Sequence, residues 1–437
     1  MLQRPANTYS GESWASAAAA GNLPERLVIV TDAWHPQVNG VVRSIENTNR
    51  ELAKMGVEVS MVTPERFHSI PCPTYPEIRL SIANYRRVAR EIEKHNPSYV
   101  HIATEGPLGL TARRWCLRKR MPFSTSYHTR FPEYVSARLP IPQSWLYAFV
   151  RWFHNGGAGC MVATPSLARE LSARGIKNLM PWTRGIDASQ FHPMPLEDEP
   201  FGLPRPIFMT VGRVALEKNL PAFLDLDLPG SKVVVGDGPA RAELEQRYPQ
   251  VHFTGVKFGE DLAKIYAQAD VFVFPSLTDT FGNTILEALA SGVPVAAYPV
   301  TGPLDIIGED SEVGALDANL QIACLAALSA SRQKARELAM QYSWEAATLQ
   351  FINNIRAANG IITSKWKKAW QFAKSLPRSR KPGETAGLSP PQTDWFTCEA
   401  RCEACRWRPQ SRCVRQAFRQ SRSAARSHGS CRYSAST

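Results

Sequence analysis

Residues 270–294 read Asp270-Val-Phe-Val-Phe-Pro-Ser-Leu-Thr-Asp-Thr-Phe-Gly-Asn-Thr-Ile-Leu-Glu-Ala-Leu-Ala-Ser-Gly-Val-Pro294. This stretch opens with an apolar run, Val271 to Phe274, whose β-branched and aromatic residues predict a buried strand. A polar turn follows, and an apolar pattern of helical period then ends at a Gly-Val-Pro sequence. Asp279 lies in the turn and Glu287 in the first turns of the helix. In an open α/β sheet, ligands bind at this end of a strand.

Asp279 and Glu287 are the candidate ligand-binding groups of this stretch. Ionised carboxylates only accept hydrogen bonds, so the pair suits the hydroxyl groups of a sugar or a ribose. The alternative is that both are ordinary solvated charges, with one of them favoured by the start of a helix. The stretch by itself leaves both interpretations open.

The rest of the chain repeats the same alternation of strand and helix in two series. The first series begins with Arg26-Leu-Val-Ile-Val-Thr-Asp32, a predicted strand whose apolar run, Leu27 to Val30, is typical of a parallel sheet buried on both faces. A Pro-rich stretch, Pro193 to Pro206, predicts a linker, and the alternation restarts after it. We therefore expect an α/β protein with two Rossmann-like domains.

In the first series, two residues at one edge of the predicted sheet are candidates for a site. Gly40 begins the first helix and permits close approach of a phosphate or sugar to the backbone. The surrounding loop is not a GxGxxG sequence, so a dinucleotide site is poorly supported. His128 ends a predicted strand, Phe123 to His128, at the same edge of the sheet. For a single histidine, a structural role and a functional role stay open.

The second series places two glycine-rich turns and two cations at strand ends. Gly212-Arg213 and Lys218 follow one predicted strand, and Gly236-Asp-Gly238 follows the next. Glycine turns offer bare backbone N–H groups to a phosphate, and the two cations offer countercharge. Together with Asp279 and Glu287, they predict a site for a nucleotide diphosphate attached to a group rich in hydroxyls.

The net charge of +12 belongs to the C-terminal tail. Residues 363–437 contain 16 basic and 4 acidic side chains, which accounts for the whole excess. The rest of the chain is balanced, and this argues against a nucleic-acid-binding protein. No run of about 18 apolar residues is present, so no membrane span is predicted. The N-terminus lacks the pattern of a secretory signal.

The nine cysteines divide in the same way as the charge. Those of the body are scattered, as in a reduced cytosolic protein. In the tail, Cys402 and Cys405 have the spacing of a zinc pair, but no second pair follows. We therefore expect no metal site.

At these motifs the sequence resembles the retaining glycosyltransferases of family 4, of the glycosyltransferase group 1 type. The resemblance rests on Gly212-Arg213 with Glu217-Lys218-Asn219, on Gly236-Asp-Gly-Pro239, and on residues 279–294. The first loop, Thr31-Asp-Ala-Trp-His-Pro-Gln-Val-Asn-Gly-Val-Val-Arg43, is similar to that of mannosyltransferase and lipid-glycosyltransferase members. The resemblance covers residues 26–345. It implies the GT-B fold, in which two Rossmann-like domains face each other across a cleft, and it implies no cofactor and no essential metal.

The resemblance also implies roles for single residues. Arg213 and Lys218 would hold the donor diphosphate, Glu287 the ribose hydroxyls, and Asp279, where the family more often has Glu, the donor sugar. His128 would contact the donor sugar and help to position the acceptor. The other implied donor-binding residues are Gly40, Gly236, Gly238, Phe281, Gly282 and Asn283. The implied reaction is front-face attack through an oxocarbenium-like transition state, in which the leaving phosphate takes the acceptor's proton.

We therefore expect a hexosyltransferase that uses a nucleotide-sugar donor, with GDP-mannose favoured over a UDP-sugar. The expected acceptor is a lipid, a glycolipid or another saccharide, in the cytoplasm or at the inner face of the plasma membrane through peripheral contact. Two alternatives stay open: a non-hydrolysing nucleotide-sugar epimerase, and a non-catalytic subunit that binds sugar nucleotides.

The expected domain organisation has five parts. Residues 1–25 form a disordered leader, 26–192 an N-terminal acceptor-side domain, and 193–345 a C-terminal domain that binds the nucleotide sugar. Residues 346–375 form a crossover and a basic amphipathic helix; its Lys365–Lys374 part suits either an anionic membrane or a solvated helix extension. Residues 376–437 form a disordered tail rich in Arg and Cys.

Overall fold

The computed structural model describes residues 26–37, 39–72, 75–308 and 312–358. The predicted leader, the basic segment Lys365–Lys374 and the tail with Cys402 and Cys405 lie outside the described residues. Among the described residues, no helix is both long enough and apolar enough to cross a membrane.

The first half of the described chain is built on a six-stranded parallel sheet in the order β2-β1-β5-β6-β7-β8. Its strands are β1 Arg26–Val30, β2 Glu58–Val62, β5 Tyr99–Ile102, β6 Phe123–Ser126, β7 Gly159–Val162 and β8 Leu179–Pro181, and β3 Ser69–Cys72 and β4 Tyr75–Ser81 form a separate antiparallel pair. Its helices are α1 Gly40–Lys54, α2 Tyr85–Glu93, α3 Pro107–Lys119, α4 Phe131–Arg138, α5 Gln143–His154 and α6 Pro165–Ala173.

The second half holds another six-stranded parallel sheet, in the order β11-β10-β9-β12-β13-β14. Its strands are β9 Ile207–Val211, β10 Ser231–Val235, β11 His252–Gly255, β12 Val271–Phe274, β13 Val295–Ala297 and β14 Gly314–Leu316. Its helices are α7 Pro221–Leu224, α8 Arg241–Arg247, α9 Gly259–Ala267, α10 Asn283–Ala290, α11 Pro303–Ile306, α12 Leu320–Ala327 and α13 Arg332–Ala339.

Both sheets reverse their strand order at one point, and there the loops diverge to leave a crevice. In the second half the reversal lies between β9 and β12, the strand predicted from residues 271–274. In the first half it lies between β1 and β5. The predicted α/β architecture with two Rossmann-like halves is confirmed. The predicted strand at residues 123–128 ends earlier, at Ser126, so that His128 lies in the loop beyond it.

The last described helix, α14 Trp344–Ala358, follows the second half in sequence but packs on the first sheet. Its Phe351, Ile352 and Ile355 are buried in one cluster with Leu27 of β1 and with Trp182, just after β8. Burial of these large apolar side chains, each worth about 1.5–3 kcal/mol, holds the crossover helix to the first half.

Candidate active site

A cavity of about 910 Å³ opens between the carboxyl ends of the two sheets. This volume is within the range of pockets that hold a ligand of nucleotide size. All eleven residues that the sequence proposes for the site line it: Gly40, His128, Arg213, Lys218, Gly236, Gly238, Asp279, Phe281, Gly282, Asn283 and Glu287. The two halves therefore contribute to one continuous surface.

The glycine turns after β9 and β10 pack against each other at the cavity wall. A Cβ atom on Gly236 would lie 1.9 Å from the carbonyl oxygen of Gly212, and one on Gly238 would lie 2.3 Å from that of Val214. The N–H of Gly212 donates to Val235, and that of Gly236 donates to Gly255. These two N–H groups therefore already have acceptors, and the prediction that they are bare and available to a phosphate is wrong. Here glycine is required for close packing of the two loops.

The start of α10 is directed at the cavity. Gly282 precedes the helix with φ +96°, a conformation that side chains with a Cβ rarely adopt. Phe281, Asn283 and Thr284 line the cavity around it. The first N–H groups of a helix carry a partial positive charge, so this end of α10 favours an anionic ligand.

Lys218 and Asp279 form an ion pair in the cavity wall. The Lys218 Nζ atom lies 2.9 and 2.8 Å from the two carboxylate oxygens of Asp279. About a quarter of the lysine side chain and a fifth of the aspartate side chain are exposed. Nearby, burial lowers the pKa of Arg213 below its ordinary value. Lys218 and Asp279, which are both proposed to bind the donor, thus neutralise each other's charge in this structure.

Glu287 is buried and bonded to both halves. Its Oε1 accepts from Arg43 of α1 at 2.9 Å, and its Oε2 accepts from the hydroxyl of Tyr266 at 2.8 Å. Burial raises the pKa of the Glu287 carboxyl, although Arg43 and Tyr266 oppose this rise. Arg43 is therefore the countercharge that the first half supplies to a buried carboxylate of the second.

Gly40, at the start of α1, lies across the cavity from the start of α10. A Cβ atom there would be 3.2 Å from the side-chain nitrogen of Asn283 across the cavity. The preceding residue, Asn39, caps α1 by accepting from the N–H groups of Val41 and Val42. A larger residue at position 40 would push the start of α1 away from the start of α10.

His128 faces the cavity from the loop after β6 and is 9% exposed. Its Nδ1 lies 2.9 Å from Arg184 Nη2, and its backbone oxygen accepts from Thr280 of the second half at 2.8 Å. Burial, and then the charge of Arg184, hold the pKa of His128 well below its usual range. The imidazole is therefore neutral at physiological pH.

Several cavity residues were missed by sequence reasoning. Arg43, Arg184, Tyr134 and Glu217 all line the cavity, and Arg138 of α4 pairs with Glu217 at 2.8 Å between the halves. Arg43 ends the first loop quoted above and Arg184 lies within the region of the resemblance, but their partners, Glu287 and His128, are distant in the chain. An arginine one helical turn after Gly40 was the only available signal.

Two family models match this chain. Residues 38–190 match the model described as Glycosyltransferase Family 4, and residues 205–329 match the one described as Glycosyl transferases group 1. The first match contains β2 to β8 of the first half, and the second contains β9 to β14 of the second half.

Individual proteins are similar over most of their length. The chain is 32% identical to a sulfoquinovosyl transferase of Arabidopsis thaliana, covering 76% of this chain and 73% of that protein. It is 30% identical to a GDP-mannose-dependent alpha-mannosyltransferase of Mycobacterium tuberculosis, covering 78% and 98%. An alpha-monoglucosyldiacylglycerol synthase of Streptococcus pneumoniae is 28% identical, covering 62% and 71%.

Among solved structures, the sucrose-phosphate synthase of Thermosynechococcus elongatus has a similar fold, with a TM-score of 0.63. The alignment covers 77% of this chain and 100% of that one at 19% identity. At this level of identity the likeness concerns the fold, which is of the GT-B type.

Proposed function

Because the chain belongs to glycosyltransferase family 4 and is a glycosyltransferase, we propose that it transfers mannose from GDP-mannose to a lipid-linked hydroxyl group with retention of configuration. One observation carries the proposal: the residues proposed for the donor from both halves line a single cavity. The mannosyltransferase relative, which this chain covers over 98% of its length, supports the choice of donor.

The donor diphosphate would bind between Arg213, Lys218 and the start of α10. Lys218 is paired with Asp279 in this structure. A diphosphate offers Lys218 a more highly charged partner, which would release Asp279 to accept a hydrogen bond from a sugar hydroxyl. The pair would thus hold both groups in place until the donor arrives.

The ribose would lie at Glu287. Each oxygen of a carboxylate has two acceptor sites, and Arg43 and Tyr266 occupy one on each oxygen. Glu287 would therefore accept from ribose hydroxyls while it keeps its countercharge. Arg43 would link binding of the ribose to closure of the first half over the second.

In the proposed reaction, the bond from the anomeric carbon to the phosphate oxygen breaks while the acceptor oxygen attacks the same face. The leaving phosphate oxygen takes the acceptor's proton. Arg213, Lys218 and the α10 dipole stabilise the charge that develops on the leaving diphosphate. We propose that this stabilisation needs no metal ion.

A lipid acceptor is supported by exposed aromatic side chains on α5, the helix that follows the cavity-lining α4 in the chain. Tyr134 of α4 lines the cavity, and the chain continues through exposed Leu139 into α5. Trp145 and Trp152 of α5 lie two helical turns apart on one face and are 72% and 53% exposed. Tryptophan favours the interface between water and membrane.

The surface around Trp152 is also basic. At the C-terminal end of α5, towards the amino ends of β7 and β8, Trp152 lines a depression of about 540 Å³ together with the exposed Arg151 and Lys177 and the buried Arg113, and no carboxylate is among its lining residues. Aromatic and cationic side chains together suit the surface of an anionic bilayer. We propose that α5 lies on such a membrane and that the acceptor enters the cavity past Leu139.

Vesicle binding tests this contact. The protein should co-sediment with vesicles of phosphatidylglycerol and phosphatidylcholine much more than with phosphatidylcholine alone. Trp145→Ser with Trp152→Ser should weaken binding at least tenfold, while Ile322→Ser, which changes an equally exposed side chain of the second half, should leave it unchanged. Equal binding of all three proteins would exclude α5 as the contact.

Donor identity is tested by thermal stabilisation with GDP-, UDP- and ADP-sugars. A ligand at 100 times its Kd should add about 2.7 kcal/mol. We expect GDP-mannose to stabilise the protein and Glu287→Ala to abolish the effect. Stabilisation by a UDP-sugar alone would refute the GDP-mannose assignment; a sulfoquinovosyl nucleotide belongs in the panel because of the 32% identical relative.

Turnover separates the remaining alternatives. Transfer to a lipid extract with release of GDP is the expected result. An epimerase would change the donor without an acceptor, and a non-catalytic subunit would bind the donor without any release of nucleotide. Analysis of the product's anomeric configuration by NMR tests retention.

A further inference from the structure

The two ring nitrogens of His128 have different surroundings. Nδ1 lies 2.9 Å from Arg184 Nη2, and guanidinium groups only donate hydrogen bonds. Nδ1 must therefore accept. In a neutral imidazole, one nitrogen accepts and the other carries the proton, so the proton of His128 lies on Nε2.

Arg184 is held rigidly in this position. It is 4% exposed, and its Nη1 donates to the backbone oxygens of Trp182 at 2.8 Å and Thr183 at 3.1 Å. Its guanidinium also lies 4.7 Å from the Trp182 ring centroid. Burial lowers the pKa of Arg184 to about 9, which leaves it protonated at pH 7. Its Nη2 is thus fixed towards His128.

The imidazole ring is fixed as well. The Trp182 ring meets it edge to face, with centroids 5.4 Å apart, and Thr280 bonds its backbone oxygen. Nε2 is buried and finds no hydrogen-bond partner among the described residues, although His128 lines the cavity. A buried donor without a partner costs about 1–3 kcal/mol, and a ligand in the cavity would relieve that cost.

We propose that Arg184 is a positioning residue that keeps His128 in the Nε2–H tautomer, so that Nε2–H donates to a sugar hydroxyl oxygen in the cavity. This inference rests on the proposed function. It also means that His128 cannot act as the base at Nε2, because that nitrogen already carries a proton. The acceptor's proton must then go elsewhere, and the leaving phosphate is the proposed destination.

The tautomer can be observed directly by NMR of the full-length protein labelled with ¹⁵N-histidine, with the His128 signals assigned from His128→Gln. We expect a protonated Nε2 and an unprotonated Nδ1 from pH 6 to 8. Arg184→Met should convert a large part of the population to the Nδ1–H form, whereas Arg184→Lys, which keeps a donor, should preserve Nε2–H.

Activity should follow the tautomer. Arg184→Met should lower kcat at least tenfold with little change in KM for the donor. Arg184→Lys should retain much of the kcat that Arg184→Met loses. In a His128→Gln background, Arg184→Met should have an effect of less than threefold, because the group that it positions is absent. A merely structural arginine would reduce activity equally in both backgrounds.

Two results would overturn the proposal: an Nδ1–H tautomer in the unmodified protein, or equal losses with and without His128. If Arg184→Met does not fold, Arg184→Lys and the unmodified protein still decide it, because kcat must follow the observed Nε2–H fraction. The tautomer is measured without substrate, so a protein with the expected tautomer and no transfer from any nucleotide sugar would refute the proposed function alone.

Discussion

The two halves of the molecule build their sides of the cavity in different ways. The second half presents charged groups that are partly exposed and paired with each other, as Lys218 and Asp279 show. The first half presents a neutral group, His128, that is buried and held by an arginine buried even more deeply. One wall therefore holds an internal ion pair, whereas the other holds a single neutral group fixed by a buried cation.

This difference matches the parts of a nucleotide sugar. A diphosphate needs countercharge, and Lys218, whose own charge is balanced by Asp279, is a group that can supply it. A sugar hydroxyl needs a donor at a fixed position, which rotation of a free side chain would not give. The bond between Arg43 and Glu287 joins a charge of the first half directly to the proposed ribose site.

The largest effect is expected when the second half loses Lys218, the cation of its ion pair. Lys218→Ala removes countercharge from the leaving diphosphate and should lower kcat/KM by about 10²–10³-fold, the range found when one transition-state donor is removed. Steady-state kinetics with the identified donor measures this.

Lys264→Ala, which removes an exposed lysine from α9 of the same half, is the matched control and should be neutral. A loss in kcat/KM of less than threefold in Lys218→Ala would mean that Lys218 does not stabilise the leaving diphosphate. The second half would then not supply countercharge through this ion pair.

The link between the halves should give the next effect. Arg43→Met leaves the buried Glu287 carboxylate without its countercharge and should cost about 1–3 kcal/mol of stability, less than a fully buried pair because Arg43 is 36% exposed. Chemical denaturation measures this, with the exposed Arg50→Met of the same helix as control.

Adding Glu287→Gln to Arg43→Met should recover stability, because the remaining partner is then neutral. A double variant that is no more stable than Arg43→Met would show that the unpaired charge of Glu287 is not what destabilises Arg43→Met.

The same contrast explains what the sequence could reveal. The residues that the second half contributes to the cavity lie in short stretches of sequence. Gly212-Arg213, Lys218 and residues 279–287 could therefore be recognised together. Arg43 and Glu287 are 244 positions apart, and Arg184 meets His128 across 56 positions. Periodicity reports which face of an element is buried, but it does not report which side chains meet from different elements. The predicted role of the glycine N–H groups failed for the same reason, since their acceptors lie on neighbouring strands.

The smallest effect concerns the stability of the first half and its pH dependence. Asp32, just after β1, is buried and accepts from the N–H groups of Leu108 and Gly109 at the start of α3 and from the Thr104 hydroxyl. Burial raises its pKa to about 6 from 3.8, although these hydrogen bonds lower it. A carboxyl whose pKa is raised on folding takes up its proton first in the folded state, so that stability increases as the pH falls through 6.

From pH 7 to pH 5, this one group should add about 1.3 kcal/mol to the free energy of unfolding. Many other groups titrate over the same range, so the comparison must be made with Asp32→Asn, which keeps the shape and removes the titration. We expect the unmodified protein to gain about 1 kcal/mol relative to this variant over that interval, measured by chemical denaturation at both pH values. A constant difference would mean that Asp32 is fully ionised at pH 5, with its charge stabilised by the start of α3. The first half would then contain a buried group that is charged, Asp32. The contrast between the two walls of the cavity would be limited to His128 and Arg184.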